Sequence, residues 1–148
     1  MNYTLLQSTI AGIATGITTP LVAGVMCDIK AESDQLIDRG FTFYLVGDTV
    51  AQRNAEEAEV IEENWLLQVV YLGGPELWAS RLSEARADAR LLRNAIAAIS
   101  QATLNSIADG PTTFESVTIR TGDVKHDNTR QREGILVLTL PVTVTWVI

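Results

Sequence analysis

Cys27 and His126 are the only cysteine and the only histidine in a chain of 148 residues. Any cysteine–histidine nucleophilic pair therefore has to use both. Cys27 closes an apolar run, where a free cysteine behaves as a small buried hydrophobe. His126 stands in a charged loop with nothing beside it to mark a base, so the pair receives no catalytic assignment. The same scarcity excludes an internal disulfide framework and any zinc site built from two or more cysteines alone or histidines alone. Carboxylates are plentiful: Glu56, Glu57, Glu59, Glu62 and Glu63 fall within eight residues. Acid–base work needs surroundings that push two carboxyl groups apart in pKa, and nothing apolar surrounds most of these. Weak Ca²⁺ or Mg²⁺ binding is conceivable for such a run, but EF-hand spacing is absent. Gly73-Gly74-Pro75 lacks the Gly-Lys-Ser/Thr ending of a phosphate loop. The expectation is a chain with no catalytic residue, no cofactor and no metal.

Two groups of basic residues remain. Arg86, Arg90 and Arg93 recur at i, i+4 and i+7 of a helical pattern. They read first as a solvent face paired with Glu84 and Asp88, and second as a contact for acidic partners or phosphates. Lys125, His126, Arg130 and Arg132 share a loop with Asp123, Asp127 and Glu133, whose charges cancel theirs. A mixed-sign loop of this kind suits a protein interface better than a nucleic acid.

The charge along the chain is uneven. Residues 1–27 carry no charged side chain, residues 28–63 carry ten acids against Lys30, Arg39 and Arg53, and residues 64–148 balance. The whole net charge of −7 therefore sits in residues 28–63, which excludes a globally basic nucleic-acid binder. Hydrophobic residues make up 47% and charged residues 20%, so the chain is expected to build a core as one domain over residues 1–148. The uncharged N-terminus is long enough to cross a bilayer. Its threonines, Gln7, Ser8, three glycines and Pro20 argue against that, as does the lack of a preceding Lys or Arg. A short helix over about residues 2–15 is expected, followed by an extended segment over 21–29.

Beyond it, Phe41–Val46 reads as a strand between two glycines. The Ala- and Glu-rich stretch after it is helical by propensity and a hairpin arm by context. Leu66–Leu72, starting near Trp65, is a second strand. Trp78, Leu82, Ala85, Ala89, Leu92, Ile96 and Ile99 share one helical face, and Leu104 and Ile107 extend it, so one long helix is expected from Glu76 to Ile107. It ends at Asp109-Gly110-Pro111. Phe114–Thr121 is a third strand and residues 122–134 a polar loop. The last strand alternates without a break: Leu136, Leu138, Leu140, Val142, Val144 and Trp146 on one face, threonines and Pro141 on the other. Pro141 points to an edge position or a bulge. The fold class expected is α+β: an antiparallel sheet of about four strands, one long central helix on one face and a short N-terminal helix.

This order resembles the tail terminator, or tail completion, proteins of tailed bacteriophages. The features that carry the likeness run from the N-terminal helix to the strand Phe41–Val46, and from a polar hairpin insertion to the strand Trp65–Tyr71. A central helix of the type Arg81, Ala85, Ala89, Leu92, Ile96 follows, then Phe114–Thr121, a charged hairpin and the alternating strand Leu136–Trp146. The likeness covers residues 36–148 well and 1–35 loosely. It implies a structural virion protein that forms a ring, usually of six copies. The ring caps the tail tube and joins it to the head–neck connector, with no catalytic residues and no membrane. DNA passes through without specific binding. On that reading Glu56, Glu57, Glu59, Glu62 and Glu63 line the channel or an interface, and Lys125, His126, Arg130 and Arg132 meet partners. Arg86, Arg90 and Arg93 are weaker contacts of the same kind. The protein is expected at the tail–neck junction, after synthesis in the host cytoplasm. The alternatives are a cytosolic adaptor that uses a sheet edge, or another neck protein of the same virion.

Overall fold

The structure, a computed structural model, describes residues 1–24, 36–52, 60–109 and 116–147. Cys27, Glu56, Glu57 and Glu59 lie outside them. Helix α1 covers Tyr3–Gly16. The Asn2 side chain caps it by accepting from the Leu5 amide at 3.0 Å, as an Asn at this position is suited to do. Strand β1 is the two-residue Val22–Ala23. Strands β2, Gly40–Gln52, and β3, Val60–Leu72, form an antiparallel pair. The stretch with two readings is therefore hairpin arm as far as Gln52 and from Val60 onward. β-Branched and aromatic residues on both sides outweigh the helical preference of Ala and Glu.

A 3₁₀ turn, Pro75–Leu77, leads into α2, Trp78–Ala97, which is followed by α3, Gln101–Ala108. The expected single helix is thus broken in two. Ser100 is extended, and its side chain accepts from the Thr103 amide at 3.2 Å, starting a new helix just where the first one ends. The apolar stripe runs across the break and hides it. Strand β4, Ser116–Thr121, strand β5, Lys125–Asp127, a second 3₁₀ turn and strand β6, Ile135–Val147, complete the chain.

The sheet order is β1-β2-β3-β6-β4, with β5 beside β6. The β1–β2 pair is parallel and the others antiparallel, so the sheet is mixed. It has more strands, and the fold has more helices, than the sequence suggested; the α+β class holds. Pro141 is neither at an edge nor in a bulge. It pairs with Leu66 on one side, and on the other its carbonyl accepts from the Gly122 amide at 2.8 Å. Nitrogen and carbonyl of one strand residue point the same way. The missing N–H of Pro141 therefore faces the interval between β4 and β5, where no strand asks for it.

All three helices lie on one face of the sheet. Leu6, Ile10, Leu92, Ile96 and Ile107 join the even-numbered residues 136–146 of β6 and the odd-numbered residues 65–71 of β3 in one core. Leu92 and Ile96 are buried with Leu138, Leu140 and Val142, as the helical stripe requires. Leu36, Val70, Ile135 and Val137 make a smaller cluster. Among the described residues no helix is long and apolar enough to cross a membrane.

Candidate functional site

The acidic run is divided by strand alternation. Glu63 falls on the helix-covered face of β3 and is 3% exposed. Its Oε1 accepts from the Trp146 indole and, at 3.5 Å, from the Trp65 indole; its Oε2 accepts from the Tyr3 hydroxyl. Tyr3 stands 6.0 Å from both indole rings, and Phe43 stacks on Trp65 at 4.7 Å. Burial, then the bond to Glu63, raises the Tyr3 pKa well above the ordinary phenol value. The expectation that Glu63 lines a channel or an interface is corrected: it seats an aromatic cluster. Glu62 points to the opposite face, where Arg120 approaches it at 3.8 Å. Glu62 is half-buried on that face, and Glu56, Glu57 and Glu59 lie outside the described residues.

A second polar group lies in the interior. Arg39 donates to Asp88 at 2.9 Å, to Glu84 and to the Thr19 carbonyl. The Tyr71 hydroxyl donates to the same Asp88 oxygen at 2.7 Å. Arg81 donates to Glu84 at 2.7 Å, to the Leu72 carbonyl at 2.8 Å and to Asp38. Burial opposes the charge of Arg39, but its bonds to Asp88 and Glu84 together outweigh it and hold its pKa above the usual value. Burial and the bond to Asp88 also raise that of Tyr71. These contacts tie the start of β2, the end of β3 and the first half of α2 together. Sequence reasoning gave Glu84 and Asp88 to Arg86, Arg90 and Arg93 instead. The legible signal was Asp88 itself, 4% exposed, which sits on the apolar stripe between Ala85 and Leu92. With both Glu84 oxygens and one oxygen each of Asp88 and Asp38 engaged by the chain's own donors, this network is a structural clamp.

The arginines deprived of those partners line a groove. Arg86, Arg90 and Arg93 are exposed on α2, and among the described residues none of them makes an ion pair or a side-chain hydrogen bond. They border an open groove of about 460 Å³ between α2 and the β4–β5 segment. Ala89 and Ala97 keep the helix side of the groove shallow; Thr121, Val124 and His126 form the other wall. His126 pairs with Leu138 and so lies on the helix-covered face. Its Nε2 is shut from solvent without a hydrogen-bond partner among the described residues. Burial, then the charge of Arg86, lowers its pKa.

The charged loop does not act as one unit. Lys125 faces the other side of the sheet from His126. Arg130 is held by Glu133 through bonds of 2.7 and 3.1 Å, which lower the pKa of that carboxyl. Arg132 is exposed in the 3₁₀ turn Gln131–Glu133. Of the loop residues singled out in the sequence, His126 alone joins the α2 arginines at the groove. Its lining carries three permanent charges of one sign and suits carboxylate or phosphate oxygens, which a guanidinium meets in bidentate fashion. Among the described residues no group of three or more His, Cys, Asp or Glu side chains is placed to hold a metal. In comparisons with known proteins, the sequence matches no family profile and no curated protein.

Proposed function

We propose that this chain is a structural virion subunit of the tail terminator type: a ring-forming protein that caps the tail tube and joins it to the head–neck connector. The observation that carries the reading is the β2–β3 hairpin. Two strands of thirteen residues run to a connection that bears Glu56, Glu57 and Glu59, where the resemblance places a polar hairpin insertion. The long alternating strand β6 and the helix α2 across it are the other elements that the resemblance requires. A ring, with six copies as its expected number, gives the acidic hairpin ends a use. Carboxylates around a channel repel phosphates and let DNA slide without sticking, and carboxylates on a ring face dock basic partners.

Size-exclusion chromatography with light scattering tests the ring. The expected result is a discrete species of about six times the 16.1 kDa chain, seen as an annulus by electron microscopy. A second reading, the adaptor, is supported by the edge of β2. Among the described residues strand β1 pairs with Gly40 and Phe41 alone, and farther along β2 Leu45 and Val46 are exposed. An edge of this kind can add a peptide strand. A monomer at every concentration favours that reading and removes the ring.

A further inference from the structure

Three unpaired arginines on one helix are costly to keep together, since each raises the potential felt by the others. Among the described residues no carboxylate pairs with them. The hairpin end lies where Val60 pairs with Val147, and Val147 with Ser116. The groove opens at the far end of β4, beside Thr121. Five residues of strand at about 3.3 Å each put it roughly 17 Å farther along the sheet. That is about twice the screening length of about 8 Å at physiological salt, so charge at the Val60 end of the hairpin is largely screened from the groove wall at Thr121.

From this charge complementarity we infer that the groove of Arg86, Arg90, Arg93 and His126 receives the acidic β2–β3 hairpin end of a second copy of this chain. The chain holds its whole surplus of negative charge in residues 28–63, and the connection between β2 and β3 supplies Glu56, Glu57 and Glu59 of it. The groove supplies the matching guanidinium groups. Donor and acceptor surfaces are different patches of the same molecule, so the contact is head-to-tail, and a head-to-tail contact closes into a ring when its rotation closes. The inference rests on the ring reading and adds the residues that hold neighbours together. It predicts that assembly weakens as salt rises, because opposed exposed charges set both the association rate and the register.

The test is sedimentation velocity over a dilution series at low and high salt. The proteins are the unaltered chain, the groove variant R86E/R90E/R93E, the hairpin variant E56K/E57K/E59K and the combined six-fold variant. Circular dichroism checks that each folds; the arginines are exposed, so folding is expected to survive. Each triple variant is expected to need at least about 100-fold more protein to assemble. The six-fold variant is expected to assemble again. An equimolar mixture of the two triple variants is also expected to assemble, because each groove then meets an oppositely charged hairpin. If the groove variant assembles like the unaltered chain, the inference is overturned while the ring stands. The same holds if it keeps assembly but loses binding of inorganic phosphate or a DNA duplex, which would make the groove an anion site. If the unaltered chain never assembles, the ring reading falls, and this inference with it.

Discussion

Glu63 shows how far a single residue can depart from its neighbours in the sequence. Its oxygens accept from two indoles and a phenol, all of them neutral donors. An amide can do the same. With its oxygen toward the indoles and its NH₂ toward the Tyr3 oxygen, Glu63→Gln keeps both indole donors paired, and the partly exposed Tyr3 hydroxyl turns its own proton to solvent. It is expected to change stability by less than about 1 kcal/mol in urea unfolding followed by tryptophan fluorescence. Glu63→Ala strands the buried donors and is expected to cost about 2–5 kcal/mol. A functional test of the acidic arm therefore uses Glu56, Glu57, Glu59 and Glu62 and leaves Glu63 in place. His126 gives a pH prediction. Its pKa in the folded chain lies below the ordinary 6.5. Between that lowered value and 6.5 the unfolded chain binds more protons, so stability is lost as pH falls through this window and is unaffected above it. The urea midpoint of the unaltered chain should fall between about pH 7 and pH 5.5 by more than that of His126→Gln. Equal slopes would remove His126 as a source of the pH dependence.

At the scale of elements, helix α2 takes its place from the stripe that ends in Leu92 and Ile96. Leu92→Ala is expected to cost about 2–5 kcal/mol by equilibrium unfolding, whereas a loss under half a kilocalorie would contradict its burial against β6. Ser100→Ala is expected to cost about 1 kcal/mol and to lower helix content by circular dichroism, through α3 alone. These elements were legible in the sequence because their periods are: alternation laid out the buried face of β6, and three- and four-residue steps laid out that of α2. The break between α2 and α3 was not, because the stripe continues through Leu104 and Ile107 while Ser100 starts a new helix beneath it. Strand β1 is two residues long and has no period to read. At the site, the i, i+4, i+7 spacing put Arg86, Arg90 and Arg93 on one face. Which acids they keep depended on Arg81, which meets Glu84 three residues along the same helix, and above all on Arg39, which arrives from the start of β2 and takes Asp88 and the other oxygen of Glu84. Such a choice between partners is tertiary, and no local pattern encodes it.

At the scale of the molecule, the surplus negative charge of residues 28–63 and the arginines of α2 belong to separate segments of the chain, and that is what the ring reading uses. Replacing Glu56, Glu57, Glu59 and Glu62 by glutamine keeps shape and removes repulsion. If the arm lines a channel, particles are expected to assemble and retain DNA; if it docks on partners, rings are expected to form poorly or fail to join them. Normal assembly and normal DNA delivery would exclude both roles. The sheet order also bears on how the chain reaches its native state. Strand β6 lies between β3 and β4 yet follows every other element in sequence. Each of its pairs with β3, from Val60–Val147 to Leu72–Ile135, closes a loop that contains α2, α3, β4 and β5. The hairpin β2–β3 needs only a short closure and can form within microseconds, but it then waits with one long edge open until that large loop closes. Folding on a scale of milliseconds to seconds follows. In that interval the β3 edge is open to any strand that reaches it first, so refolding yield is expected to fall as protein concentration rises.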